Sequence, residues 1–292
     1  MRGKWNIWVG AAACTAFLAC GSVSAWAQGG YSQPAPQQQQ PPAQQDKDKQ
    51  PNPAPLAMDN APAPASPEED SASKAVQQAT DPNQKVKLAE DFLQKYPQSR
   101  YRPTMYQALV SGYFAQQKVP QMLDAGEKEI AINPNDAPVL AVMAQALART
   151  YNAKAPDAAE RLSKAEQYSK RAIEITPTLP KPENLTDEAF NNAKNDTLVM
   201  AHSGLGLVYI RQGKYSEAIP ELEQSVKADT HPEPDPVNYY LLGMADKQTS
   251  HFEAAATAFT KCASVQSSLQ AACKSNADDA KKQGATQLSA PN

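Results

Sequence analysis

The sequence predicts an all-α fold made of repeated helix hairpins, and three observations support this prediction. From about residue 67 onward, apolar residues recur at helical spacing in paired segments of roughly 12–16 residues, separated by turn signals. No segment shows the alternation of apolar and polar residues that is typical of a half-buried strand. Segments of the chain also repeat one another, which indicates a solenoid in which each hairpin covers the next.

The clearest repeat lies in the second half of the chain. The segment GLGLVYIRQGKYSEAIPELEQSVKAD aligns with LLGMADKQTSHFEAAATAFTKCASVQ, so Leu205-Gly206 pairs with Leu242-Gly243 and Ala218 pairs with Ala255. A weaker match relates MYQALVSGYF to LAVMAQALA. The repeat is therefore present in both halves, and it is more specific in the second.

These positions resemble the tetratricopeptide repeat pattern W-x2-L-G-x2-Y, then A-x3-F, then P. The large first residue is Tyr106, Leu140, His202 or Tyr239; the Gly place holds Val110, Ala144, Gly206 or Gly243; the small residue that opens the second helix is Met122, Ala165, Ala218 or Ala255; and the closing Pro is Pro134 or Pro177, replaced by Thr230 and Ser267 in the last two units. The resemblance implies that Gly206 and Gly243 let the two helices of a hairpin approach closely.

We expect four such hairpins with a degenerate one in front, over about residues 68–96. An insertion over residues 178–196 is expected to hold a short helix near residues 186–193. A last helix, about residues 269–283, should cap the stack, because the end of a solenoid needs a polar outer face. The residues predicted to supply that face are Asp278, Asp279, Lys281 and Lys282.

The domain boundaries follow from composition: 1–27 a signal peptide, 28–66 a linker, 67–284 the repeat domain and 285–292 a flexible tail. The start has Arg2 and Lys4, then an apolar run that is too short to span a bilayer, then Ala25-Trp26-Ala27 as an A-x-A cleavage site. An uncut N-terminal anchor is the less favoured alternative. We therefore expect an exported protein, periplasmic or secreted, with no transmembrane segment in the mature chain.

A second interpretation of the signal is lipidation. The residues Phe17-Leu18-Ala19-Cys20 resemble a bacterial lipobox, although Phe17 stands where the pattern has Leu. Cys20 would then carry a lipid anchor, and the protein would be an outer-membrane lipoprotein. The site at Ala27 is better formed, so simple export is favoured.

Residues 28–66 are rich in Gln, Pro and Ala and contain almost no large apolar side chains. Such a segment buries too little surface to offset the entropy cost of ordering, so we predict a disordered Pro/Gln-rich linker. A tether is the simplest role, and a docking site for a proline-binding module is the alternative.

Two of the four cysteines lie in the signal, which leaves Cys262 and Cys273 in the mature chain. In an oxidising compartment such a pair is expected to form a disulfide. Two neighbouring antiparallel helices can provide the separation that the bond requires, so we predict a bridge that fastens the capping helix. Two buried thiols are the alternative.

Motifs for catalysis, metal and cofactors are missing from the sequence. The three histidines, His202, His231 and His251, do not share a helix face at ligand spacing, and no phosphate loop, nucleophile elbow or dinucleotide motif occurs. Formal net charge is -3 with no basic run, which argues against nucleic acid as a partner. We therefore predict a protein that is not an enzyme and has no cofactor.

The family resemblance implies a partner-binding groove lined mainly by the first helix of each hairpin. The candidates are Gln107, Ser111, Gln145, Arg149, Ser203, Arg211, Tyr240, Met244 and Lys247. Three of them are basic, which would suit an acidic segment or a C-terminal carboxylate. The positions that hold Asn in carboxylate-clamping members are Ala108, Val142, Gly204 and Leu241 here, so that clamp is not supported.

The predicted function is a non-catalytic scaffold or adaptor of the bacterial cell envelope that binds a protein or peptide in this groove. The alternative is a lipid-anchored outer-membrane assembly factor, if Cys20 is lipidated; the segment FLQKYP resembles envelope-assembly members of the family. A binder of a small ligand, or an enzyme, is the least favoured class.

Overall fold

A computed structural model describes residues 65–289, and this part of the chain is a stack of α-helical hairpins, as predicted. Its helices are α1 (Pro67–Gln78), α2 (Pro82–Lys95), α3 (Arg102–Ala115), α4 (Val119–Ile132), α5 (Ala137–Arg149), α6 (Ala158–Ile175), α7 (Asp187–Arg211), α8 (Tyr215–Ala228), α9 (Pro236–Gln248), α10 (Phe252–Ser264) and α11 (Gln270–Ser289). A 3-10 turn over Thr176–Thr178 follows α6. Consecutive helices up to α10 form five hairpins, and α11 follows as the cap.

Local sequence signals set the beginnings of the helices. Ser66 forms a capping box with Glu69 at the start of α1, and the Asp81 carboxylate accepts a hydrogen bond from the Gln84 amide at the start of α2. Asp136 does the same for α5. Each cap satisfies an amide that has no partner within its own helix.

The predicted close approach within the last two hairpins is confirmed. A Cβ atom added at Gly206 in α7 would lie 2.6 Å from Cγ of Leu222 in α8, and one at Gly243 in α9 would lie 2.9 Å from the ring of Phe259 in α10. Leu222 and Phe259 are fully buried. Glycine is therefore needed at these positions for the partner helix to come this close.

The earlier hairpins reach the same closeness at glycines that the sequence pattern did not identify. A Cβ atom at Gly112 in α3 would lie 2.4 Å from Val86 of α2, and one at Gly126 in α4 would lie 2.2 Å from Sδ of Met143 in α5. These contacts join consecutive hairpins. The pattern positions of α3 and α5, Val110 and Ala144, are buried but carry no glycine.

Two predicted boundaries are wrong. The short helix near residues 186–193 is the first part of the 25-residue helix α7, because no Pro or Gly interrupts residues 187–203. The capping helix continues to Ser289, so residues 285–289 are helical although we predicted a tail from residue 285. Gly284 alone does not end the helix, and the next Pro is Pro291.

Three of the four residues predicted to form the polar outer face of α11 lie on that face. Asp278, Lys281 and Lys282 are exposed as predicted, whereas the Asp279 side chain turns toward α9 and forms an ion pair with Lys247. None of the helices in residues 65–289 combines the length and the apolar character that a membrane span requires. The predicted signal peptide, the lipobox cysteine Cys20 and the linker up to residue 64 lie outside the described residues.

Candidate functional site: the face carried by α3, α5, α7 and α9

The nine predicted groove residues lie on α3, α5, α7 and α9, and the structure distributes them among different environments. We call the surface formed by these residues the groove face. Its members are Gln107 and Ser111 on α3, Gln145 and Arg149 on α5, Ser203 and Arg211 on α7, and Tyr240, Met244 and Lys247 on α9.

Two of the nine predictions are wrong, because Gln145 and Ser203 are buried, at 8% and 1% exposure. The cause is the direct packing of α5 against α7. A Cβ atom at Gly204 would lie 3.2 Å from the backbone nitrogen of Gln145, so the two helices leave no room for a ligand between them. A partner segment cannot contact these two side chains in this arrangement.

The basic residues of the groove face have partners within the chain. A guanidinium nitrogen of Arg149 lies 3.7 Å from the carboxylate of Asp235, and the Lys247 ammonium pairs with Asp279 of α11. The Arg211 guanidinium lies over the ring of Tyr151, 6.0 Å from its centroid. Acidic neighbours reduce the positive character of the surface at Arg149 and Lys247. Arg211 is the predicted groove cation that forms no ion pair with a carboxylate of residues 65–289.

On α3 the groove face is more accessible and includes a residue that the sequence analysis missed. The Gln107 side-chain amide donates a hydrogen bond to Asp136, and the Ser111 hydroxyl donates to the carbonyl oxygen of Ala108. Phe114 lies one helical turn after Ser111 and is 37% exposed, one of two large hydrophobic side chains exposed in the described chain. Its spacing from Gln107 and Ser111 could have identified it as a groove residue.

On α9 the groove face joins the C-terminal core. Tyr240 packs edge to face on Phe259, with ring centroids 5.8 Å apart, and Met244 contacts the same cluster of buried residues from α10 and α11. Both side chains remain partly exposed. They therefore stabilise the end of the array and still present apolar surface.

Behind the groove face, two buried carboxyl groups meet where α4 leads into α5. Glu129 is fully buried, and both of its carboxyl oxygens lack a hydrogen-bond partner within residues 65–289. Burial, together with the neighbouring Asp136 carboxyl, raises the pKa of Glu129 to about 8. Burial also raises the pKa of Asp136. Because Glu129 keeps its proton at neutral pH, the core does not hold a second negative charge beside the carboxyl group of Asp136.

The histidines pair with carboxylates and do not cluster. His202 Nδ1 lies 2.7 Å from Glu221, His231 Nε2 lies 2.8 Å from Asp196, and His251 Nδ1 lies 3.8 Å from Asp246. In the part of the chain that the structure describes, no group of three or more His, Cys, Asp or Glu side chains could hold a metal ion.

Cys262 and Cys273 lie where α10 and α11 meet. Their Cα atoms are 5.8 Å apart and their sulfur atoms are at bonding distance, and both residues are fully buried. This separation is within the range that a disulfide requires. The oxidised state of the pair in the cell stays a prediction.

Comparison with known proteins bears on the α7–α8 hairpin. A family model described as tetratricopeptide repeat matches residues 201–231, which contain the glycine pair of α7 and all of α8. This stretch of the chain is therefore similar to one tetratricopeptide repeat. The sequence matches no curated protein at a significant level.

Solved structures with similar arrays include a thermophilic TPR protein of Thermus thermophilus, which is 17% identical, with 75% of this chain and 98% of that chain covered and a TM-score of 0.44. PilW, a type IV pilus biogenesis factor, is 15% identical, with 76% and 93% covered and a TM-score of 0.48. A MamA RS-1 ArsTM double mutant is 14% identical, with 68% and 93% covered and a TM-score of 0.48. At these values the likenesses carry no argument about the function of this protein.

Proposed function

We propose that this protein is a non-catalytic scaffold of the bacterial cell envelope, and that its groove face binds a segment of a partner protein. The observation that carries the proposal is the tetratricopeptide repeat at residues 201–231, which lies within an array of five hairpins. Such arrays stack helices into extended surfaces that bind other proteins. The envelope location rests on the signal peptide that the sequence predicts for residues 1–27.

The exposed side chains of the groove face indicate which chemistry a partner segment needs. Phe114 is an exposed apolar contact on α3, Arg211 is an exposed cation on α7, and Tyr240 and Met244 add partly exposed apolar surface on α9. We therefore infer an extended segment that combines apolar side chains with at least one carboxylate. Arg149 can join this contact if the carboxylate of the partner competes with Asp235.

Site-specific photocrosslinking in living bacteria tests the groove face. A photoreactive residue placed at Phe114 or Arg211 is expected to capture a discrete partner. The same residue at Gln167, which is exposed on α6, is the control position and should not. Equal crosslinking from Gln167, or none from Phe114 and Arg211, would show that the groove face is not the binding surface.

Charge reversal tests the chemistry of the contact. We expect the double variant Arg149→Glu and Arg211→Glu to reduce crosslinking from position 114 several-fold without lowering helix content, because the surface repels a carboxylate after the change. The matched control is Arg161→Glu, which breaks an exposed ion pair with Asp157 on α6, away from the groove face. An unchanged yield in the double variant would contradict an acidic partner.

The second candidate is a lipid-anchored outer-membrane assembly factor, and the Phe17-Leu18-Ala19-Cys20 sequence favours it. Mass spectrometry of the mature N-terminus separates the two proposals. A terminus at Gln28 identifies a protein released by cleavage, whereas an acylated Cys20 identifies an anchored one.

A further inference from the structure

A cleft of about 820 Å³ opens between α8, α9, α10 and the end of α11, and none of the nine groove residues lines it. Its apolar walls come mainly from Leu242, Phe252 and Ala258, with Tyr239 at one side. Gly284 and Gln287 of α11 close one end. The cleft is therefore a surface distinct from the groove face, and a ligand in it would bind independently of the proposed function.

The titratable side chains around the cleft are mostly acidic. Glu223 comes from α8, Asp246 from α9 and Glu253 from α10, against the single ammonium group of Lys261 and the imidazole of His251. The α11 residues of the lining carry no charge. The cleft consequently favours a cationic ligand.

Asp246 is the unusual member of this set. It is 4% exposed and belongs to the lining of the cleft. Its carboxylate forms a long ion pair with the exposed His251 ring, whose Nδ1 lies 3.8 Å away. One long ion pair to an exposed ring compensates a buried carboxylate incompletely, so a charged donor that enters the cleft would stabilise it.

We propose that this cleft accepts an arginine side chain presented by a partner protein, with Asp246 as its counter-ion. A guanidinium group matches the lining because it donates hydrogen bonds in a planar fork to a carboxylate and also stacks on aromatic faces. Asp246 supplies the carboxylate, and Tyr239 and Phe252 supply the aromatic surfaces. Glu223 and Glu253, both exposed, attract the cation to the entrance.

Titration of the isotope-labelled protein with N-acetyl-arginine-N-methylamide, followed by NMR, tests this proposal. The neutral isostere is N-acetyl-citrulline-N-methylamide. We expect shifts at residues 246–253 and around Glu223 and Gly284, with about tenfold tighter binding of the arginine probe, since a charge-assisted hydrogen bond is stronger than a neutral one. Equal binding of the two probes, or shifts confined to α3, α5 and α7, would overturn the proposal.

The variant Asp246→Asn should bring the affinity for the arginine probe down to that for citrulline. The matched control is Asp196→Asn, which alters another Asp–His pair, that of Asp196 and His231, outside the cleft. It should leave the affinity unchanged. If Asp246→Asn retained tight binding while folded, the proposal would be wrong.

Two further measurements decide the question if Asp246→Asn does not fold. The exposed pair Glu223→Gln and Glu253→Gln should weaken binding of the arginine probe by a few-fold. In the unmodified protein, affinity should fall as the pH drops through about 6, because the pKa of Asp246 is raised to about 6, mainly by burial and also by Glu223, with His251 opposing the shift. If the affinity for the arginine probe changed neither in the Glu223→Gln and Glu253→Gln variant nor at low pH, the cleft would not be the binding site.

Photocrosslinking at Phe114 should not respond to Asp246→Asn, so failure here and failure of the groove proposal are distinguishable.

Discussion

The two ends of the array bring neighbouring helices close together with different side chains. In α7–α10, each hairpin pairs a glycine on its first helix with a large apolar side chain on its second, Gly206 with Leu222 and Gly243 with Phe259. In α3–α5 the close contact lies between hairpins, where Gly126 of α4 admits the flexible Met143 of α5, and the buried acid Glu129 lies near the same junction. The family model matches residues 201–231, which include Gly206 but not Gly243. The α3–α4 hairpin therefore forms without the pattern glycine, and a glycine at its boundary admits the next hairpin.

The largest expected effect tests the C-terminal end. Phe259 is fully buried under Gly243 and Tyr240, so Phe259→Ala should lower the free energy of unfolding by about 3–5 kcal/mol. Chemical denaturation monitored by circular dichroism measures the change. The control Phe114→Ala removes an exposed ring and should cost less than about 0.5 kcal/mol. A small effect at Phe259 would mean that this contact does not dominate the last hairpin.

The predicted disulfide tests whether the C-terminal end also relies on a covalent bond. Cys262 and Cys273 are 11 residues apart, and closing a loop of this size stabilises by about 2–3 kcal/mol on the chain-entropy model. Reduction, or replacement of both residues by Ala, should therefore lower stability by that amount. Thiol counting on the protein isolated without reductant should find no free thiol at Cys262 or Cys273. Two titratable thiols at that stage would contradict the bridge.

The buried acid distinguishes the N-terminal end by its pH dependence. The pKa of Glu129 is raised from its ordinary value of 4.5 to about 8, so the folded state holds this proton more tightly than the unfolded state. The contribution is favourable below pH 4.5 and is lost as pH rises toward 8. Glu129→Gln should flatten this dependence and stabilise the protein at pH 8 by about 1–3 kcal/mol.

Thermal unfolding from about pH 5 to about pH 8.5 measures this prediction, since the interval brackets the shifted pKa. Glu160→Gln, which changes an exposed residue of α6, is the control and should leave the pH profile as it is. A parallel profile for the Glu129→Gln variant would show that Glu129 is ionised in the folded protein.

The smallest expected change in stability concerns the turns inside three hairpins. Gly213, Gln117 and Ser250 occupy equivalent turn positions with positive φ, of 74°, 57° and 63°. Only glycine adopts this conformation without a steric cost. Gln117→Gly should therefore stabilise the protein by up to about 1 kcal/mol, and Gly213→Ala should destabilise it by a similar amount. Differential scanning fluorimetry measures both changes. Shifts of the melting temperature in the same direction for Gln117→Gly and Gly213→Ala would contradict this interpretation.

The prediction of the groove face shows where sequence reasoning reaches its limit. The repeat register placed Gln145 and Ser203 on the groove side of their helices, and the assignment failed because α5 and α7 pack directly against each other. Phe114 occupies the same face of α3 as Gln107 and Ser111, so its spacing indicated the face, whereas the exposure of its ring is set by the packing of the array. Burial depends on the distance between helices that are far apart in the chain.

Charge pairing shows the same limit. Lys247 meets Asp279 across 32 residues, and Arg149 meets Asp235 across a longer separation. Sequence reasoning counts these side chains as free cations, because it recognises ion pairs mainly at spacings of three or four residues within one helix. The long-range pairs reduce the predicted basic character of the groove face.

The amino-acid sequence alone determined the helical class, the register of the last two hairpins and the close approach at Gly206 and Gly243, because periodicity, caps and small residues act over a few residues. The tertiary structure decided which side chains remain exposed, how Glu129 comes to lie beside Asp136, and that the nearly buried Asp246 lines a cleft. These features arise where separate hairpins meet. Their geometry depends on the packing of the whole array, so no local pattern specifies them.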